Sequence, residues 1–461
     1  MRRTSNNHFL KLLFAFLVAC TGCVKKSYLT QIPDGSLLAL NTADDAQALL
    51  DNITIMRESP SLAEVSADNF YLPSDSGLLT MDPVELNTYL WKPDIFEGKP
   101  LAGDWVKPYQ QVYYANAILA ALPALTGPAD QLNHIRGAAL FIRAYAFYNL
   151  AVEFANLYTG TADTDAGIPL HLTPDPLASV TRSTVKETYD RILTDAKTAC
   201  GLLMQQVDPD RKNRPSQPAA YALLARIYLS MGDFAHAGLY ADSCLNSYST
   251  LLDYKNYINA GVPIPFSANN DEVLYQSNLL STTDVFFRSN CYIDSTLYAS
   301  FSDSDLRKSL YFSIGSSGLP NPQYSYSGDL TKFSGLAVDE VYLIRAECNA
   351  HLGKITEAVQ DITTLLKTRW ENNAYSHPPV SSQKEALDLV LQERRKELVF
   401  RGLRWTDIRR LNSADPSHAI TLKRVWFGQT YTLPPFDKRY ILPIPPDVIA
   451  INGGISQNPR N

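Results

Sequence analysis

Pro218-Ala219-Ala220-Tyr221-Ala222-Leu223-Leu224-Ala225-Arg226-Ile227-Tyr228, followed by Gly232-Asp233 and then Ala237 and Ala241, is the stretch that decides the fold. Tyr221, Leu224, Ala225 and Tyr228 recur at the three- and four-residue spacing of one helix face. Gly232 can take the left-handed conformation that ends a helix. Ala237 and Ala241 are small enough for a second helix to cross the first closely. This is the tetratricopeptide-type helix pair. Asp339 to Leu365 repeats it with Tyr342, Ala346, the turn Gly353-Lys354, Ala358 and Ile362. Ala237 and Ala358 are 121 positions apart, whereas tandem units would space them by about 34. The pairs therefore belong to one helical scaffold split by an insertion, about 248–333. Short alternating runs there, such as Glu272-Val273-Leu274-Tyr275-Gln276, predict loops and short strands.

Working outward, apolar periodicity predicts helices over Thr42 to Ile53, Trp105 to Leu122, Gln131 to Tyr158, Thr184 to Leu203, Ala386 to Phe400 and Leu403 to Leu411. Thr184 and Glu187 form a capping box at the start of the fourth. Ser59 to Ala102 is rich in Pro, Gly, Asp and Ser, and reads as a long ordered loop, not a packed element. Tyr440 to Asn461 reads as an extended, proline-rich tail.

The N-terminus carries an export signal. Arg2, Arg3 and Lys11 give a positive start, Phe9 to Ala19 is apolar except for Lys11, and Ala19-Cys20-Thr21-Gly22-Cys23 supplies small residues at a cut. The apolar run falls short of the roughly 20 residues that span a bilayer. Cysteine at the cut makes the signal look like a bacterial lipoprotein leader, whose thiol takes a diacylglyceryl group. Leu17-Val18-Ala19-Cys20 is the better lipobox by residue type, and Thr21-Gly22-Cys23 is the alternative. The formal net charge is −6, and loss of Arg2, Arg3 and Lys11 with the leader makes it −9. An acidic body argues against nucleic acid, which needs a basic phosphate-contacting face. Cys200, Cys244, Cys291 and Cys348 are too widely spaced for a disulfide framework or a zinc motif.

Taken together, these features resemble the RagB/SusD family of outer-membrane nutrient-binding lipoproteins. The resemblance rests on Ile135-Arg136-Gly137 with Arg143-Ala144-Tyr145-Ala146-Phe147-Tyr148, on Gly167-Ile168-Pro169-Leu170, and on Ala219 to Arg226. It continues through Glu393-Arg394-Arg395-Lys396-Glu397-Leu398, then Gly402 to Arg410, and Leu442-Pro443-Ile444-Pro445 ahead of Gln457-Asn458-Pro459. Cys23 followed by Tyr28-Leu29 is similar to the family's short spacer, and favours Cys23 where the lipobox favours Cys20. Arg401 departs from the acid many members carry before the glycine, which bears on a local ion pair.

The resemblance implies a mainly α protein: a single SusD-like body with four tetratricopeptide-like helix pairs as scaffold, and a loop-rich ligand-binding side with short strands. Along the chain that means a lipoprotein signal peptide at 1–22 (with a cut at 19/20 as the alternative), an N-terminal region at 23–230, a helix plus loop-rich insertion at 231–330, and a C-terminal region at 331–461. The implied role is a cell-surface, lipid-anchored protein that delivers an oligosaccharide or other large nutrient to a SusC-like TonB-dependent transporter at the outer membrane. The helical side is expected to pack on that transporter. A protein-interaction scaffold, or a receptor for peptides or glycoconjugates, is the alternative.

Sugars bind through flat aromatic faces against C–H groups and planar polar side chains against hydroxyls. Asp68, Asn69, Tyr71, Tyr89 and Trp91 before the first long helix, with Tyr324 and Tyr326 in the insertion, are the expected ligand residues. Trp91 is equally suited to plugging the core. Glu393, Arg394, Arg395, Glu397, Arg404, Asp407 and Arg409 alternate in sign, which favours an internal lattice locking the last helices to the tail over ligand capture. No HExxH, P-loop or GxSxG appears, and no DxDxDG-type run supports calcium. The expectation is a non-catalytic protein without a cofactor.

Overall fold

The computed structural model describes residues 40–73, 81–99, 102–258, 265–280, 291–323, 326, 328, 331–414 and 419–460. Cys20, Cys23 and Tyr324 lie outside the described residues. The helices that build the body are α1 (Ala43–Leu50), α2 (Leu62–Ser66), α3 (Pro83–Tyr89), α4 (Gly103–Ala121), α5 (Ala129–Phe154), α6 (Val185–Leu202), α7 (Gln217–Ser230), α8 (Phe234–Ser247), α9 (Val338–His351), α10 (Ile355–Lys367), α11 (Gln383–Glu397) and α12 (Arg404–Ala414). Short two-stranded pairings join β1 (Phe70–Tyr71) to β3 (Tyr292–Ile293), β2 (Val273–Tyr275) to β4 (Leu336–Ala337), and β5 (Leu422–Trp426) to β6 (Gln429–Leu433), all antiparallel. The protein is mainly α, as expected.

The two helix pairs recognised by pattern are α7–α8 and α9–α10. Their turn glycines sit in the left-handed region, Gly232 at φ +75° and Gly353 at φ +74°, where a side chain would be strained. Ala237, Ala241 and Ala358 are fully buried at the helix crossings. From α4 to α8 each helix packs on the next, and α8 packs directly on α9 across the insertion. The scaffold is thus continuous in space although split in sequence. Arg226 of α7 reinforces the joint through a buried pair with Glu340 of α9, Nε to Oε1 at 2.8 Å. β2–β4 pins the insertion to the start of α9, and all of Glu272 to Gln276 is buried. The capping box at Thr184 and Glu187 forms as predicted.

Two boundaries differ from prediction for a visible reason. The helix expected over Thr42 to Ile53 stops at Leu50, and Asn52 takes an extended conformation before a further turn, Ile53–Met56. The helix expected to reach Tyr158 ends at Phe154, because cationic and amide donors from elsewhere claim its last carbonyls. Arg409 donates to the carbonyls of Val152 and Ala155, the latter at 2.7 Å. Asn458 Nδ2 donates to Phe154 O at 2.8 Å, and Arg182 Nη2 at 3.2 Å. Cations at a helix C-terminus also oppose its negative dipole end.

The stretch 59–102 departs most from its reading. Its described residues are packed, not a surface loop: Tyr89, Trp91 and Phe96 rank among the largest fully buried side chains. Distant side chains satisfy its short helices. Asp104 accepts from the backbone N–H of Ser61 (2.5 Å) and Leu62 (2.8 Å), and Glu153 from that of Ala63 (2.9 Å), so two carboxylates face the start of α2. Arg424 of β5 donates to the carbonyls of Val65, Ala67 and Tyr89, closing the ends of α2 and α3 together.

The alternating charges after Gln392 do pair internally, but they lock α11 and α12 to the insertion and to α9, not to the tail. Arg307 contacts Asp305 (2.6 Å), Glu393 (2.7 Å) and Glu397 (2.9 Å) with no exposed surface. Arg369 joins Glu397 to Glu272, both at 2.8 Å, and lies 3.9 Å from the Tyr254 ring. Arg410 holds Glu347 of α9. Arg401 pairs with Asp339 at 3.0 Å, so an ion pair does form there. The tail is held by other guanidiniums, with Arg182 donating to Ser456 O at 3.0 Å and Asn458 Oδ1 at 2.8 Å, and by amides. Gln457 accepts from Ile444 N and donates to Ile444 O, both at 2.8 Å, and Asn458 reaches Phe154 and Leu442. Cys200, Cys244, Cys291 and Cys348 are buried free thiols.

Two predictions follow from this packing. Arg424→Met leaves three buried carbonyls without their donor, and should lower unfolding stability by about 3 kcal/mol or more, read from urea midpoints. Glu64 gives a pH signature. Burial pushes its carboxyl up from 4.5 to about 7, against the Asn69 amide and Gly402 N–H that lower it. The folded state therefore holds this proton where the unfolded chain has lost it. Stability from this group falls as pH rises from 4.5 to about 7 and is level above that. Glu64→Gln should flatten that fall by up to about 1.4 kcal/mol per pH unit, measured by urea unfolding at pH 5, 6, 7 and 8. An unchanged slope would show that Glu64 ionises alike in both states.

Candidate functional site

β1 and β3 meet in register, Phe70 opposite Ile293 and Tyr71 opposite Tyr292. Strand side chains alternate faces. Phe70 and Ile293 are buried, so Tyr71 and Tyr292 both point out. Their ring centroids are 5.5 Å apart with planes inclined at 43°, a half-exposed, two-ring shelf.

Charged groups stand behind the shelf. Asn69 O accepts from Asp294 N at 2.9 Å, extending the strand pairing by one step. Asp294 caps the turn Ser295–Ala299 through Leu297 N at 2.9 Å. Arg404 grips Asp68 bidentately, Nε to Oδ1 at 2.7 Å and Nη2 to Oδ2 at 2.9 Å. Arg395 bridges Asp68 O (3.0 Å), Asp68 Oδ2 (3.2 Å) and Asp294 Oδ1 (3.4 Å). Burial raises the Asp68 carboxyl, but Arg404 and then Arg395 outweigh it and hold it at about 2. Burial, then Tyr292 and Asp294, push the Tyr71 hydroxyl up. Behind the two phenols the shelf therefore carries two acidic side chains, Asp68 and Asp294, against two guanidiniums, Arg395 and Arg404, so that its formal charges cancel.

The six expected ligand residues that are described divide accordingly. Tyr71 faces solvent, and Asp68 keeps partial exposure while committed to Arg404 and Arg395. Asn69 is buried, donating to Glu64 Oε1 at 2.8 Å. Tyr89 and Trp91 are buried with Arg424 against both, 3.7 and 4.3 Å from their ring centroids. Trp91 Nε1 donates to Ser66 O at 3.0 Å, so Trp91 plugs the core. Tyr326 is buried under Arg401 at 4.4 Å and donates to Glu272 Oε2 at 2.5 Å. The ring faces of Tyr89, Trp91 and Tyr326 are thus taken by protein, because each sits beside a guanidinium that needs an apolar, π-rich cover. Tyr292 and Asp294 were not anticipated. Only the alternation in Cys291-Tyr292-Ile293 hinted at an outward ring, and nothing local marks its partner over two hundred positions away.

Two grooves, of about 550 and 650 Å³, are lined by other residues. In the first the Phe234 ring is covered by His351 at 3.7 Å, and the second has no aromatic lining. No group of three or more His, Cys, Asp or Glu side chains suited to a metal occurs among the described residues, and no helix among them is long and apolar enough to cross a membrane.

Comparison with known proteins places this architecture. Residues 27–229 match the SusD-like family model described as starch-binding associating with outer membrane, and residues 338–460 match the SusD family model. SusD-like protein P2 of Formosa agariphila is 22% identical over 425 residues, covering 77% of this chain and 79% of that protein. A SusD superfamily protein from Bacteroides thetaiotaomicron superposes with a TM-score of 0.73 at 22% identity, over 91% of this chain and all of that one. A protein described as a putative sugar binding protein, from Bacteroides vulgatus, gives a TM-score of 0.72 at 22% identity, over 91% of this chain and 98% of its own. A laminarin-binding SusD-like protein gives 0.66 at 16% identity, over 92% of this chain and all of its own. The chain belongs to the SusD family, a carbohydrate-binding family associated with the outer membrane.

Proposed function

We propose that the protein is a non-catalytic oligosaccharide receptor, held at the cell surface by acyl chains on Cys23 or Cys20, that hands its ligand to a SusC-like TonB-dependent transporter. The observation that carries the ligand reading is the outward Tyr71–Tyr292 pair, with planar polar groups behind it. Tilted rings side by side suit consecutive sugar units of a bent chain. Asp68, Asp294 and Arg395 stand where hydroxyls of such a chain would reach. Family membership and the starch and laminarin named for its relatives make glycan the first ligand class to try. Charge cancellation at the shelf favours a neutral glycan. The family's outer-membrane association and the lipoprotein-type leader support the anchor and the transporter partnership.

Titration calorimetry against soluble starch, laminarin and other neutral glycans is the test. At least one is expected to bind, and Tyr71→Ala and Tyr292→Ala should each weaken it by about tenfold, the equivalent of ~1.4 kcal/mol. Trp91→Ala should cost ~3–5 kcal/mol of stability and leave the affinity of the folded fraction unchanged. No binding across the panel, or binding indifferent to both tyrosines, would sink the ligand assignment. Purification of the full-length lipoprotein from its own membrane should carry the transporter with it.

A further inference from the structure

A groove of about 650 Å³ lies on the helical side, between α5, α6 and the end of α4. Arg136 and Arg143 of α5 stand seven apart, and Arg191 and Asp195 of α6 four apart, so both sets line one face of their helices. Asp195 is fully buried and takes a bidentate grip from Arg143, at 2.7 and 2.9 Å, as well as an ion pair from Arg191. Arg143 spends its remaining arm on Asn116 Oδ1 at 2.8 Å. One carboxylate thus serves two guanidiniums, and Arg136 is exposed without an ion pair among the described residues. Arg191 Nε is buried without a hydrogen-bond partner among the described residues. Three cations against one anion make this groove locally positive on a chain whose net charge is −6. Much of the rest of the lining is aliphatic, with Leu119 and Leu122 around the end of α4 and Leu132 and Leu140 flanking Arg136 on α5.

We propose that this groove binds an acidic peptide segment of a partner protein, with a carboxylate received by Arg136 and Arg191 and an adjoining aliphatic side chain laid on the leucines. Guanidinium forks match carboxylates bidentately. The mixed wall suits a peptide that alternates acidic and aliphatic residues. A sugar is disfavoured because no aromatic ring lines the groove. The site is distinct from the Tyr71–Tyr292 shelf and does not depend on what that shelf binds.

The test is fluorescence anisotropy of the intact mature protein with a labelled, capped hexapeptide alternating leucine and glutamate. Saturable binding is expected, falling with added salt and lost when glutamine replaces glutamate. Arg136→Gln, an exposed change that leaves the Arg143–Asp195 pair in place, should weaken binding at least tenfold. Arg191→Gln should weaken it further, with circular dichroism confirming the fold. Absence of saturable binding at millimolar peptide overturns the proposal. So does affinity unchanged in Arg136→Gln, or sodium sulfate binding as tightly as the peptide. Retention on vesicles containing phosphatidylglycerol in place of peptide binding overturns it in favour of a lipid headgroup.

Discussion

Buried guanidinium groups hold this molecule together across long stretches of chain. A loop-rich body must satisfy many backbone carbonyls and carboxylates that no local helix or sheet can reach. Arg424 closes two short helices at once, Arg409 caps the longest helix from 254 positions away, and Arg369 joins the insertion to α11. Arg424 is covered by aromatic rings and Arg369 is shared between acids, which is how a buried charge becomes tolerable. Such contacts do more to specify one arrangement of the loops than to add net stability. They let the described part of 59–102 behave as core while the stretch keeps the composition of a surface loop.

This is also why the sequence was readable in some places and opaque in others. The helix pairs announced themselves because their determinants are local: Tyr228, Gly232 and Ala237 lie within one turn-and-return, and so do Tyr342, Gly353 and Ala358. The capping box at Thr184 is local too. The end of α5 was misjudged because Arg409 and Asn458, which stop it, lie in the last part of the chain. The candidate site was legible only in part for the same reason. Tyr89 and Trp91 have the residue types of a sugar platform, but Arg424 decides which way they face. Tyr71 could be named from composition, whereas Tyr292 could not, because the β1–β3 pairing is set by the fold as a whole.

Function emerges from the division of the molecule. Helices packed in sequence from α4 to α11 provide a stiff frame, and the insertion returns to that frame through β2–β4, Arg369 and Arg307. At the outer rim of this braced region two tyrosines are left facing solvent. Because the strands beneath them are fixed by Phe70 and Ile293 on the inner face, the rings are pre-positioned, and little ordering entropy would oppose the proposed ligand capture. The acids beside them are already paired, so the neutral chain proposed as ligand would strand no charge.

The most direct measurement is a crystal structure of the protein soaked with the tightest-binding glycan found by titration. The account predicts sugar rings packed on Tyr71 and Tyr292, with hydroxyls within hydrogen-bond distance of Asp68, Asp294 or Arg395. A glycan seated elsewhere, for example in the groove beside Leu157, Leu387 and Leu411, with the two tyrosines bare, would contradict it.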